Sequence, residues 1–346
     1  MNPPVHTAGA WARRPARQFL ERPETSGVLI NASRDPDAKL TFVITGPQCG
    51  SGTRVVKIPA TAAAGEAVDR EGRMLVEVRR QGLGRLAATV PRYVESLSIE
   101  GRPVLIATAV PGTPMSIGYH QWPHTARPSA VRADFRAALT WLSGFQTCTA
   151  HADVPVDWPA KVLEAVRGRW DGHPALADAV VRLEVAGERL SAARCAETAV
   201  HGDFWFGNLL VQGGSVSGVV DWENASPQGC PIRDVARFVL SYALYLDRHT
   251  RPGHRVLGHP RLRRGGFGAA IGYALCDAGW FPDLVRDSLA RELGRLGLPA
   301  AAWYDVALTG IGEVAAAAND DEFGAGHLQL LASLPVHARR HRGHAR

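Results

Sequence analysis

The stretch HGDFWFGNLLV, residues 201–211, places His201, Asp203 and Asn208 in one short loop flanked by apolar runs. Asn is scarce in this chain, with five copies in 346 residues, so its position here is informative. Ala199-Val200 lead in, Asp203 to Asn208 form the loop and Leu209-Leu210-Val211 leave it. The next strand, VSGVV, ends at Asp221, and a Gly-Gly-Ser turn between β-branched runs marks a hairpin. Such a hairpin brings Asp203, Asn208 and Asp221 to one end.

Those three side chains are oxygen donors suited to a hard cation such as Mg²⁺, which keeps several waters and binds substrate phosphates. They also match the division of labour in phosphoryl transfer, with one Asp for the substrate hydroxyl and an Asn and a second Asp for the metal. No nitrogen–sulfur cluster in the sequence offers a rival metal site.

Outward from the hairpin, the chain changes texture. Residues 1–26, rich in Pro, Arg and small side chains, read as a loose arm. Between 27 and 110, GVLI, KLTFVIT, TRVVKIP, VPRYVESLSI and RPVLIATAV read as strands, with GPQCGSG as a turn and a helix over 66–81. From 111 to 335 the pattern is mainly helical, clearest in VRADFRAALTWLSGFQ and RDVARFVLSYALYL. Residues 336–346 form a basic tail. The expected architecture is therefore α+β and bilobal, a small β-rich N-lobe and a larger helical C-lobe, as the length also suggests.

HGDFWFGNLLV followed by GVVDWENA resembles the catalytic core of the aminoglycoside phosphotransferase family, which has the protein-kinase-like fold. The resemblance runs from about residue 27 to 335 and is strong between 199 and 240. It implies Asp203 as catalytic base, Asn208 and Asp221 as Mg²⁺ ligands, and His201 as a structural brace. It also implies that Asp234, at a helix start, steadies the catalytic loop. In VVKIP, Lys57 is similar to the kinase strand lysine that holds the nucleotide phosphates. Its expected helical partner is Glu71, with Glu66 and Glu77 on the same helix as alternatives. LIATAVPG would be the hinge for the base, through Thr108 and Val110. The phosphate-covering loop would fall near NASRDPDAK, residues 31–39, which departs from the family by lacking glycine. Glu223, two residues after Asp221, could assist the metal but reads more readily as an exposed or structural side chain, and Trp205, Phe206 and Trp222 read as packing or substrate-lining residues.

The implied activity is an ATP- or GTP-dependent phosphotransferase that places the γ-phosphate on a hydroxyl of a small molecule such as an antibiotic, a sugar or a related metabolite. A protein kinase is disfavoured, because twelve residues between Asp221 and Asp234 leave no room for an activation loop, and neither Asp-Phe-Gly nor Ala-Pro-Glu occurs. The alternatives are a nucleotide-binding pseudokinase and a metal-dependent phosphohydrolase, the latter needing further ligand clusters for two metals. The helices of 130–195 and 260–335 would build the acceptor pocket.

The formal charge of +6 sets 36 Arg and three Lys against 33 Asp and Glu; much of the excess lies in 248–266 and the tail and is expected to fall largely outside the cleft. No aromatic-interleaved basic patch points to nucleic acid, no apolar run is long enough for a membrane span, and none near the start has signal-peptide form. The expected partner is a small hydroxylated acceptor, without nucleic acid or membrane; the oligomeric state is left open. Five scattered cysteines without a C-x-x-C pair fit a reducing compartment, so a cytoplasmic location is expected.

Overall fold

Strand periodicity decides which way each side chain of the small lobe points. The structure, a computed structural model, describes residues 26–32, 38–46, 52–99 and 101–337. Residues 1–25 of the arm, most of the glycine-free segment, the centre of GPQCGSG and residues 338–346 of the tail lie outside the described residues. Strands β1 (Ser26–Ala32), β2 (Lys39–Thr45) and β3 (Arg54–Pro59) precede helix α1 (Ala62–Arg80), and β4 (Tyr93–Ile99) and β5 (Arg102–Thr108) follow it. They form one antiparallel sheet in the order β1-β2-β3-β5-β4. Leu40, Phe42, Ile44, Val56, Ile58, Val104 and Ile106 make an apolar cluster on one face. With a side-chain period of two, Lys39, Thr41 and Lys57 must then share the opposite face.

Helix α1 packs on that opposite face through Ala64, Ala67, Val68, Glu71, Leu75 and Val78, a stripe at three- and four-residue spacing. It begins four residues before the helix expected over 66–81. The Thr61 hydroxyl caps it by accepting the Ala64 N–H at 3.0 Å, and three alanines extend the first turn. Alanine marks no apolar periodicity, which is why the sequence pattern starts late.

The larger lobe opens with β6 (Thr113–Pro114), α2 (Met115–Tyr119) and α3 (Pro128–Cys148). After β7 (Asp153–Pro155) come α4 (Trp158–Arg169), α5 (Leu176–Leu190), β8 (Arg194–Ala196) and β9 (Thr198–Val200). The hairpin β10 (Leu209–Gln212) and β11 (Ser215–Val219) turns at Gly213 and Gly214, with φ of 60° and 77°. Two successive positive φ values suit the right-handed twist of a two-residue hairpin. Next are β12 (Ser226–Gly229), paired with β9, and α6 (Ile232–Leu244).

The remainder contains β13 (Arg255–Val256) and β14 (His259–Arg263), a hairpin inside a stretch expected to be mainly helical. Gly258 supplies its turn at φ 78°, and the buried His259 ring anchors it by donating to the Thr125 carbonyl at 2.9 Å. Helices α7 (Ala269–Cys276), α8 (Trp280–Arg295), α9 (Trp303–Ala317) and α10 (Asp321–Ser333) complete the lobe. One apolar core runs from Val68, Leu75 and Leu105 of the small lobe to Phe204, Trp222 and Phe238 of the large one. The lobes therefore share a floor, and the hairpin lies on it.

Candidate active site

Alternating aromatic residues fix the loop that begins at His201. Phe204 and Phe206 are fully buried, Phe206 stacking on Tyr119 at 4.2 Å, while Trp205 between them is half-buried. His201 is also buried; its Nε2–H donates to the Val220 carbonyl at 3.0 Å and its Nδ1 accepts the Asp203 N–H at 3.3 Å. The ring thus ties the loop to the residue that follows β11, immediately before Asp221. Asp234, in the first turn of α6, accepts the His201 N–H at 2.7 Å and the Gly202 N–H at 2.9 Å. Burial pushes the Asp234 carboxyl up, and His201 and the two N–H groups partly offset this. Gly202 has φ 78°, and a Cβ there would collide with the Asn224 carbonyl oxygen.

Asp203 receives donors on both oxygens. Asn208 Nδ2 donates to its Oδ2 at 3.1 Å and to its carbonyl at 3.0 Å. Arg237 grips Oδ1 through Nε at 2.9 Å and a terminal nitrogen at 2.7 Å. Arg237 was not among the residues expected in the site, and it places one of the arginines inside the cleft. Its signal was its spacing: it follows Asp234 by three residues on a helix, so the two side chains share a face.

The second half of the site hangs from the small lobe. Lys57 Nζ lies 2.7 and 2.6 Å from the two Glu71 oxygens and 2.8 Å from Asp221 Oδ1. Glu66 is exposed and Glu77 pairs with Arg80, so the structure selects Glu71 from the three helical candidates. Lys39, which sequence reasoning passed over, donates to the same Asp221 Oδ1 at 2.9 Å and pairs with Glu223. Its signal was register: Thr41 sits opposite Lys57, which makes Lys39 a diagonal neighbour on the same face. Glu223 is thus neither exposed nor merely structural; it belongs to this cluster.

Burial alone would raise the Asp221 carboxyl, but Lys57 and Lys39 together hold it well below the usual carboxylate range. Burial would likewise lower both lysines, yet Asp221, with Glu71 beside Lys57 and Glu223 beside Lys39, raises each above its ordinary value. Glu223 is pushed up by burial and by Asp221, against the pull of Lys39. Asp221 has φ 70°, the one positive value outside glycine among the described residues. Asp tolerates this left-handed conformation better than most side chains.

Residues that fit a divalent cation are present. Carboxylate oxygens of Glu71, Asp221 and Glu223 lie within 4.8 Å of one another. The Asn208 amide nitrogen is engaged with Asp203, so its Oδ1 is the atom a cation would use. This is an all-oxygen set of the kind Mg²⁺ prefers. Two ammonium groups already gather on Asp221, a measure of how strongly the position favours positive charge.

Two cavities adjoin these residues. One, of about 40 Å³, is walled by Val55, Leu105, Ala107 and Val220, with Lys57 and Glu71 among its lining and the expected hinge residues Thr108 and Val110 lining it too. The Thr108 N–H already serves the Arg92 carbonyl at 2.9 Å, and its hydroxyl accepts the Arg92 N–H at 2.8 Å. The other, of about 170 Å³, reaches Asp203, Trp205 and Arg237 and is lined from α6, α7, α9 and α10. Its lining comes from residues 203–245 and 271–327, with none from 130–195. Phe206 and Trp222 lie in the core beneath the loop. A larger groove of about 700 Å³ between α3 and α8 touches none of this chemistry.

The architecture is shared with known phosphotransferases. A thermostable mutant of aminoglycoside phosphotransferase APH(4)-Ia, apo form, superposes with a TM-score of 0.54 at 13% identity, covering 91% of this chain and 98% of that one. A further variant of that mutant, in ternary complex with ADP and hygromycin B, gives 0.53 at 13% identity, with 94% and 98% covered. A candidate aminoglycoside phosphotransferase from Ralstonia eutropha JMP134 gives 0.53 at 14% identity, with 93% and 95% covered. No curated protein matches the sequence. The sequence profile of the Phosphotransferase enzyme family matches residues 38–264, a span that holds Lys57, Glu71, Asp203, Asn208 and Asp221. The chain therefore belongs to the aminoglycoside phosphotransferase family of enzymes, with its kinase-like fold, and is a small-molecule kinase.

Proposed function

We propose that this enzyme transfers the γ-phosphoryl group of ATP or GTP to a hydroxyl of an antibiotic, a sugar or a related metabolite, with Asp203 as general base. The observation that carries the reading is the meeting of the hairpin end with the Lys57–Glu71 pair: Asp221 joins Lys57 at 2.8 Å, while Asn208 holds Asp203 at 3.1 Å. Thr108 and Val110 border the base, and Lys57 neutralises charge on the phosphates, with Lys39 as a second ammonium on the same face. Asp203 accepts the proton of the acceptor hydroxyl as its oxygen bonds to phosphorus and the bond to the leaving diphosphate breaks. Arg237 and Asn208 hold that carboxylate in place.

Asn208 and Asp221 would hold Mg²⁺, with Glu71 and Glu223 close by. When bound, the ion supplies positive charge against the phosphate oxygens. No described helix is long and apolar enough to cross a membrane. Action in the cytoplasm, where nucleotide triphosphates are held, and a role in antibiotic resistance or in metabolism complete the proposal.

The test is transfer from γ-labelled ATP to an added alcohol by wild type and Asp203→Asn. The variant should lose roughly 10²–10⁴-fold in turnover, the scale of a general base, while calorimetry shows nucleotide affinity retained. Near-normal turnover would sink the assignment. Tight Mg·ATP binding without ADP release across a wide acceptor screen would instead favour a pseudokinase.

A further inference from the structure

The cavity of about 170 Å³ beside Asp203 carries information about the acceptor. Leu240, Ile271, Ile311 and Val314 supply aliphatic wall, and Trp205 and Tyr245 supply rings. Among the residues lining it, Asp203 is the one carboxylate, and Arg237 already pairs with it at 2.7 Å. His327 is the remaining ionisable base there; burial pushes it down to about 4, and its Nδ1–H donates to the Phe323 carbonyl at 2.9 Å. Around neutral pH the cavity therefore holds one mutually satisfied ion pair, with the Ser241 and Tyr245 hydroxyls and the uncharged His327 ring set in a mainly apolar wall.

Such a lining is hostile to a polycation. Each ammonium placed there would lose its water without a carboxylate in return, at several kcal/mol per ion. It would also approach the Arg237 guanidinium. An uncharged hydroxyl needs only an acceptor for its proton, and Asp203 provides one. The size agrees, since a cavity of roughly 150 Å³ lined by aliphatic and aromatic side chains takes up benzene. The space next to the base thus accommodates a single ring or an equivalent aliphatic group.

We infer, on the phosphotransfer reading above, that the acceptor presents its hydroxyl on an uncharged, predominantly apolar, ring-sized group, and that polyamine sugars are poor acceptors. The Asp203 carboxylate takes the proton from that hydroxyl, the alcohol oxygen bonds to the γ-phosphorus, and ADP leaves with the bridging oxygen.

The experiment uses the full chain with γ-labelled ATP and Mg²⁺. One acceptor set is benzyl alcohol, 2-phenylethanol and cyclohexylmethanol; the other is the polycations kanamycin and hygromycin B. Labelled phosphate monoester should form on the ring alcohols with kcat/KM about tenfold or more above the aminoglycosides. Val314→Asp, which sets a carboxylate into the wall, should raise the ring-alcohol KM about tenfold; retained Mg·ATP affinity reports that the variant folds. Saturable ring-alcohol binding that Val314→Asp weakens supports the inference even where turnover is slow. Preferred transfer to the aminoglycosides overturns it, as does the absence of both transfer to the ring alcohols and their binding at millimolar concentration. Those two results leave the phosphotransfer reading standing. Failure of the wild type to bind nucleotide at all overturns that reading instead.

Discussion

At Asp221 two lysines and three carboxylates meet, and the balance among them sets how the site treats cations. Lys39 and Lys57 share Asp221 Oδ1 at 2.9 and 2.8 Å, although two ammonium groups so close repel each other. Glu71 and Glu223 make the arrangement tolerable, leaving the cluster one negative charge in excess. Lys39→Met would remove a buried ammonium and strand Glu223 beside Asp221. Charge-assisted hydrogen bonds contribute about 1.5–3 kcal/mol, so a change of about tenfold or more is expected. Its sign should differ by ligand. Mg²⁺ alone should bind Lys39→Met more tightly, because competing positive charge is gone, while the KM for ATP should rise because a phosphate-facing cation is lost. Titration calorimetry with Mg²⁺ and initial rates against ATP read the two effects separately. A fall in both affinities would show that Lys39 holds the cluster together rather than facing the phosphates.

The loop at 201–208 is held by its neighbours rather than by its own backbone. Asp234 at the start of α6 satisfies two loop N–H groups, at 2.7 and 2.9 Å. In Asp234→Ala both donors lose their acceptor in a buried place, each costing about 1–3 kcal/mol. Thermal unfolding should therefore shift down by several degrees, and turnover should fall along with it. Gly202→Ala attacks the same element from the other side. Its φ of 78° costs an L-residue about 1–2 kcal/mol, and the added Cβ would run into the Asn224 carbonyl. Either the loop or the segment after Asp221 must move, separating Asp203 from the carboxylate cluster. The variant should lose turnover by more than its loss of stability explains, measured as kcat at a temperature where it remains folded.

For the molecule as a whole, the shared core ties cleft geometry to stability. The lobes are bridged by Arg70 to the Glu223 carbonyl at 2.9 Å and by Gln81 to the Pro227 carbonyl at 3.1 Å, above a continuous apolar floor. His327, on α10, couples this body to pH. Its folded value of about 4 lies below the ordinary 6.5, so the unfolded chain takes the proton more readily. The resulting stabilisation is fully present above about pH 6.5 and is lost as pH falls toward 4, up to about 3 kcal/mol. His327→Gln should flatten that window in urea-unfolding midpoints; an unchanged slope would place the pH dependence elsewhere. Sequence and structure divide the account along physical lines. The order of elements in the small lobe, the hairpin carrying Asp203, Asn208 and Asp221, and the strand carrying Lys57 were legible because periodicity and turn chemistry are local, whereas the β13–β14 hairpin was not. Glu71, Thr108 and Val110 rested on family likeness, and one of three helical glutamates was chosen by which face α1 buries. In the sequence Glu223 could assist the metal but reads as exposed or structural, and Lys39 and Arg237 pass unnoticed, their signals becoming decisive only with strand register and helix packing. Lys39 meets Asp221 across 182 positions, and Arg237 meets Asp203 across 34. Local pattern was enough for a bilobal α+β plan and for a set of oxygen donors at the hairpin end; the kinase-like fold rested on family likeness. Which charges gather on Asp221, and that the wall beside Asp203 is mainly apolar, came only with the folded chain, because both depend on register and helix packing between segments far apart in it.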